Sequence, residues 1–257
     1  MERSLVTLHC SQHDPGTRRA KPFRVVRYRF YYQSSPQDRQ ILDEISKRGL
    51  QLAQSVNPHA ANYATAQRQL DKIQNNCVAG LLAEYLWKDY LNHQQEIVAE
   101  VAFVGAKSQI DLEVIANGQK IEVRSSFPRN GIPFAICHAA YEFDIIGPYA
   151  NDYKPDEIAK DFYVRTLFHL AKISERTTSS GRILPLIEKL MDKMTHDGFE
   201  VYLTGGATCA MMQDERLSNS KNLIAEDEIN AIRLQTASAY RVVPFHNALD
   251  SVEMYEL

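Results

Sequence analysis

Cysteine is sparse in this chain and never clustered. The four cysteines, Cys10, Cys77, Cys137 and Cys209, include no Cys-x-x-Cys pair, which removes the common zinc and iron–sulfur frameworks. They read as reduced thiols of a cytosolic protein. No apolar run approaches the roughly 18 residues that a membrane helix needs. The start, Met1 to Ser4, carries no signal-peptide core, so the expectation is a cytoplasmic protein with no membrane partner. Strong charge is also missing. A formal net charge of -3 argues against a protein that coats nucleic acid nonspecifically, so any DNA surface has to be local. Repeats and low-complexity tracts are absent. What remains is ordinary: 44% hydrophobic and 24% charged residues, enough for one large domain or for a core domain with an added arm.

The most informative stretch runs from Gln109 to Ser126, where two alternating segments meet at Asn117-Gly118, a strong short hairpin signal. With Asn117 and Gly118 as a two-residue loop, Val114 pairs with Ile121, Glu113 with Glu122, Leu112 with Val123 and Asp111 with Arg124. Leu112, Val114, Ile121 and Val123 then form an apolar face, and Asp111, Glu113, Glu122 and Arg124 form the opposite one. Glu113 against Glu122, with Asp111 close by, is repulsive unless a cation sits among them. Clustered carboxylates suit magnesium, a hard ion that takes oxygen ligands and retains waters. A solvated outer face, with Arg124 offsetting Asp111, is the plainer reading of the same pattern. The polar face ends in Arg124-Ser-Ser126, donors suited to phosphate oxygens.

A helix over residues 77–91 precedes the hairpin, with Val78, Leu81, Leu82, Tyr85 and Leu86 at helical spacing. Glu84 lies at the margin of that stripe. Gly80 is expected to let the helix approach a sheet closely and so to aim Glu84 toward Asp111 and Glu122. A solvent-facing glutamate is the alternative.

The sequence Gly80-Leu-Leu-Ala-Glu84, then Asp111, then Glu122-Val-Arg124, resembles the PD-(D/E)xK nuclease superfamily, which includes type II restriction endonucleases and archaeal Holliday-junction resolvases. The likeness spans about residues 76 to 208. It implies a restriction-endonuclease-like α/β fold, a mixed central sheet flanked by helices. Glu84 matches the acid of the first core helix, Asp111 that of the second core strand and Glu122 that of the third. The last position of the motif, usually lysine, is Arg124 here, a group that orients phosphate but does not give up a proton near neutral pH. The resemblance implies a magnesium-dependent DNA endonuclease, with manganese as a substitute ion, of restriction or phage-defence type and working as a homodimer. Asp111, Glu122 and Glu84 are then the metal ligands, Glu113 a possible replacement among them, and Arg124 the fourth catalytic residue. A catalytically degenerate DNA- or protein-binding module on the same fold is the alternative, and Arg124 is its discriminating feature.

The rest of the chain is expected to support that core. Residues 1–72 read as an arm, a strand and a mostly helical extension, and 73–257 as the nuclease-like domain. The arm holds His9, His13 and the basic Arg18, Arg19 and Lys21. A strand over Phe23–Tyr32 puts Arg27 and Arg29 on one face, candidates for phosphate contact or for edge protection; Ser125, Ser126 and Arg129 complete the candidate DNA surface. Helices are expected over Asp38–Val56 and Ala60–Asn75, and a strand over Gln95–Val104. The stretch Gly131–Phe143 is open between strand and helix, followed by a loop near 147–155. A strand over Asp161–His169, a helix over Ser180–Thr195 and a strand over Phe199–Thr204 follow. Gly205-Gly206 reads as a strand exit or a weak anion-binding turn, and a helix through Leu223, Ile229 and Leu234 closes the fold.

Overall fold

The computed structural model describes residues 1–10, 22–58, 69–93, 97–105, 109–128, 131–138, 143–150, 157–177, 179–181, 183–226, 233–236 and 238–256. The basic arm with His13, Arg18, Arg19 and Lys21, the proposed phosphate contact Arg129, most of the expected helix from Ala60, and the loop 151–156 lie outside them.

Along the chain, β1 (Glu2–Leu8) and β2 (Phe23–Tyr31) precede α1 (Pro36–Ala53) and α2 (Leu70–Asn92). Then come β3 (Ala99–Val101), β4 (Leu112–Val114), β5 (Gln119–Ser126), α3 (Ile132–Cys137), β6 (Asp144–Tyr149) and β7 (Phe162–His169). The hairpin of β8 (Lys172–Thr177) and β9 (Ile183–Ile187) leads to α4 (Leu190–Met194), β10 (Asp197–Thr208) and α5 (Cys209–Gln213). Four short strands, β11 (Asn219–Lys221), β12 (Ile224–Glu226), β13 (Arg233–Gln235) and β14 (Tyr240–Pro244), are followed by α6 (Ser251–Tyr255).

Seven strands form one mixed sheet in the order β1-β2-β10-β7-β5-β4-β3. Only β5 and β7 run parallel; every other neighbouring pair is antiparallel. Because successive side chains leave a strand on opposite faces, the sheet builds two cores. On one face Tyr28, Phe30, Val123, Phe168 and Val201 pack under α1 and α2 with Leu42, Ile45, Leu82 and Trp87. On the other, Phe23, Val25, Tyr163 and Leu167 pack against α3, the smaller sheet β11-β14-β6 and the turn at Phe245. Trp87 locks the first core by donating from Nε1 to Thr166 Oγ1 at 3.0 Å.

Several expectations change. The amino-terminal region does not start as a helical extension: β1 and β2 join the central sheet through β10, since Leu5-Val-Thr-Leu8 alternates well enough to pair with β2. The stretch 183–194 is not one helix. Its apolar spacing fits both periods, and Pro185 lacks the N–H an interior helix turn requires, so 183–187 is a strand and only Leu190–Met194 is helical. Residues 224–226 and 233–235 pair as strands where a closing helix was expected. Gly131–Phe143 contains a six-residue helix. Gly205 and Gly206 lie inside β10, at a register shift opposite β7, and a Cβ on either would meet Leu249 O or Tyr163 O at 2.0 and 2.2 Å. Close backbone approach, not an anion, explains them. The four-thiol reading also fails: Cys10 and Cys137 form a disulfide, leaving Cys77 and Cys209 as thiols.

Candidate functional site

The hairpin forms, with its register moved by two residues. Leu112 pairs with Ile121, Glu113 with Lys120 and Val114 with Gln119, around a four-residue turn over 115–118 in which Gly118 takes φ +70°. A shift of one would have exchanged the faces; a shift of two keeps them. It also replaces the repulsive Glu113–Glu122 pair by an opposite-charge pair, Glu113 with Lys120. Glu113 thus no longer stands directly opposite Glu122, although it keeps the same face of the sheet.

Continuing that register by one residue sets Asp111 beside Glu122. One residue ahead of β4, the Asp111 Oδ2 accepts a 2.7 Å hydrogen bond from the Val123 N–H, taking the ladder position that a longer β4 would have filled. Burial, with the Glu122 charge adding to it, pushes the Asp111 carboxyl up to about 6 despite that hydrogen bond. Glu122 is itself 7% exposed. Arg124 Nη2 contacts its Oε1 directly, and Lys160 Nζ stands 3.1 Å from its Oε2.

Lys160 was missed in the sequence. It precedes β7 and its side chain is 2% exposed, between Glu122 and Glu157, the latter at 3.6 Å. The strand geometry explains how it gets there. Asp161 clamps the loop to β5, its N–H donating to Lys120 O at 2.9 Å and its Oδ2 accepting from Lys120 N–H at 2.8 Å. Gln109 Oε1 holds the Ile158 N–H at 2.8 Å, and Asp161 O accepts from Cys209 N–H at 2.8 Å. A Lys-Asp dipeptide just ahead of an apolar strand was the only available signal. Arg165, also missed, lies opposite Arg124 in the β5–β7 register, stacked 4.2 Å over Phe143, with Nη2 donating to Ser126 Oγ at 2.7 Å.

Glu84 approaches from the other side. Ile121 and Val123 face α2, whereas Glu122 and Arg124 point to the opposite face, so α2 delivers Glu84 to the flank of Asp111. Burial, reinforced by the Asp111 charge, pushes the Glu84 carboxyl up to about 9, with Arg48 opposing weakly. Gly80 does not cause this placement: a Cβ there would meet nothing within 4 Å, so it marks no close approach to the sheet.

The expected DNA contacts scatter. Ser126 shares the Glu122 face and binds Arg165, while Ser125 alternates to the α2 face. Arg27 and Arg29 sit on β2, separated from β5 by β10 and β7, where Glu200 engages them: Arg29 Nε donates to Oε1 at 3.0 Å and Arg27 Nη1 lies 3.7 Å away.

Magnesium fits part of this arrangement. Among the described residues no three His, Cys, Asp or Glu side chains are grouped to hold a metal ion. Asp111 and Glu122 supply two oxygen donors, Glu122 Oε2 being sealed from solvent with Lys160 Nζ 3.1 Å away. Two carboxylates with retained waters are a normal magnesium set. Among the described residues no helix is long and apolar enough to cross a membrane. No family model, curated protein or solved structure matches the chain.

Proposed function

We propose that the chain is a magnesium-dependent DNA endonuclease with a restriction-endonuclease-like core, hydrolysing phosphodiester bonds in a restriction or phage-defence role. The observation that carries the reading is Asp111, one residue ahead of β4 and bonded to the Val123 N–H, standing next to Glu122 of β5, with buried Lys160 3.1 Å from Glu122. Lys160 restores the ammonium that the third-strand motif lacks. Asp111 and Glu122 would hold the cation, manganese being an acceptable substitute, and Glu84 would stand behind them as an accessory acid. When bound, the cation would lower the pKa of the attacking water and offset charge on the phosphate.

The chain's own groups divide the remaining work. Lys160 positions Glu122 and keeps a positive charge beside the reacting centre. Arg124, with its side chain 38% exposed, reaches solvent and would take a phosphate oxygen, stabilising charge that develops in the transition state. Homodimerisation and a cytoplasmic site of action complete the reading by analogy with restriction enzymes. The Cys10–Cys137 bond runs against the cytoplasm, where thiol buffers keep such pairs reduced.

One observation favours a second reading, a DNA- or protein-binding module without catalysis: Glu122 is already neutralised by Arg124 and Lys160. The test is incubation of mixed plasmid and phage DNA with the protein in magnesium, manganese or EDTA, alongside Asp111→Ala, Glu122→Ala and Lys160→Met. The nuclease reading expects divalent-dependent cutting, abolished in the two carboxylate variants and at least about tenfold slower without Lys160. DNA retained on the protein but never cut with either metal refutes it in favour of the binding module.

A further inference from the structure

Between α1 and α2 lies a cavity of about 550 Å3, walled by Ile41, Ile45, Leu81 and Tyr85. That volume accommodates a small organic molecule. Glu84 lines it, 7% exposed, and among the described residues no hydrogen bond or ion pair ends on its carboxyl. A buried acid without a partner is costly unless something occupies the space in front of it.

Two of the neighbouring charges, Lys88 and Asp89, are paired. Lys88 Nζ pairs with Glu100 at 2.8 Å, and Asp89 accepts from Tyr28 Oη at 2.6 Å with Arg3 3.7 Å away. Glu44 and Arg48, one turn apart on α1, stand at the rim with the exposed His93, and the Arg48 charge acts on Glu84 from there. Asp111 lies behind Glu84 and adds negative charge at the floor. An anion entering the groove would meet those two acids, whereas an ammonium donates hydrogen bonds to the Glu84 carboxyl and is favoured by the Asp111 charge behind it.

We propose that the α1–α2 groove binds a small organic cation, a primary ammonium on a short aliphatic chain, its head paired with Glu84 and its chain laid along Ile41, Ile45, Leu81 and Tyr85. The apolar walls favour an alkyl body over a bare ion, and the single buried carboxyl of the groove favours one ammonium head. The site rests on the groove alone and not on the nuclease reading.

The test is isothermal titration of the full chain with hexylamine hydrochloride in buffer containing EDTA, with hexan-1-ol and sodium hexanoate as controls. Saturable hexylamine binding is expected, with neither control binding. Glu84→Gln is expected to weaken it at least about tenfold, and Ile41→Trp, which fills the groove but keeps Glu84, to abolish it. Urea unfolding followed by far-ultraviolet circular dichroism checks that both variants are folded. Hexylamine affinity unchanged in Glu84→Gln, equal binding of hexan-1-ol, or no saturable heat overturns the proposal. So does Glu84-dependent heat from magnesium chloride alone, without EDTA, when hexylamine gives none.

Discussion

Replacing Glu84 by glutamine should stabilise this protein, and by an amount that grows with pH. The native state holds the carboxyl protonated up to about 9, against 4.5 in an exposed chain, because it is buried beside Asp111. For an acid whose native pKa is raised, the native state binds more protons than the unfolded state between the two values. Stability is therefore full below about pH 4.5 and is lost progressively as pH rises toward 9. At pH 7 the chain has crossed some 2.5 units of that window, which corresponds to about 3 kcal/mol, an upper figure because water entering the groove would reduce it. Glutamine keeps the shape, removes the ionisation and so removes the loss.

The assay is urea unfolding of both proteins at several pH values between about 5 and 9, in EDTA, followed by tryptophan fluorescence. Trp87 is the sole tryptophan of the chain, sits one turn from Glu84 and is 1% exposed, so its emission reports on this part of the core. The two midpoints should nearly coincide near pH 5 and separate steadily above it. All other titrating groups are common to both proteins and cancel in the difference. A constant difference across the range, or a variant less stable at pH 8 than the parent, would refute the placement of Glu84 in a desolvated site.

Three further outcomes are expected. Gly80→Ala, in the interior of α2 with open space where the methyl would sit, should stabilise by about 1 kcal/mol in the same unfolding experiment. Lys160→Met should cost up to about 3 kcal/mol, because it leaves the buried Glu122 with Arg124 as its one remaining cation among the described residues, and adding Glu122→Gln should return much of that loss, a coupling read from a double-mutant cycle. Protein denatured without reductant should show two reactive thiols, Cys77 and Cys209, rising to four after reduction, and reduction should lower stability by about 3 kcal/mol.

The hairpin shows how far the sequence could be read. Alternation placed Leu112, Val114, Ile121 and Val123 on the helix-facing side and Glu122 with Arg124 on the other, and the strands do this. The turn signal Asn117-Gly118 was local and correct as a turn, but loop length depends on which register pairs the charges best, and Glu113 against Lys120 is better than Glu113 against Glu122. The same limit appears at 183–187, where Ile183, Leu186 and Ile187 satisfy a helical count and a strand equally, and cross-strand pairing with β8 decided the outcome. The β1 strand was missed because its partner lies across a segment of unrelated composition. The disulfide was missed because spacing along the chain says nothing about which distant cysteines meet.

The candidate site was only partly legible, since Lys160 was not among the residues singled out, and on the proposed reading its presence changes what Arg124 has to do. Read along the strand, Glu122-Val-Arg124 forces one residue to serve both as the motif cation and as the phosphate contact. On the proposed nuclease reading these tasks would separate by exposure: the Lys160 side chain is 2% exposed and held against Glu122 by a loop tied at Lys120, Gln109 and Cys209, while the Arg124 side chain is 38% exposed. A strongly hydrated ammonium is buried only where carboxylates repay its desolvation, and Glu122 and Glu157 are placed to do so. An arginine that must meet a large anionic ligand needs the opposite, a route to solvent. Substituting Arg124 by lysine should therefore leave the Glu122–Lys160 pair intact and weaken contact with the incoming phosphate, whereas substituting Lys160 by arginine should crowd a space shaped for an ammonium and disturb Glu122 directly.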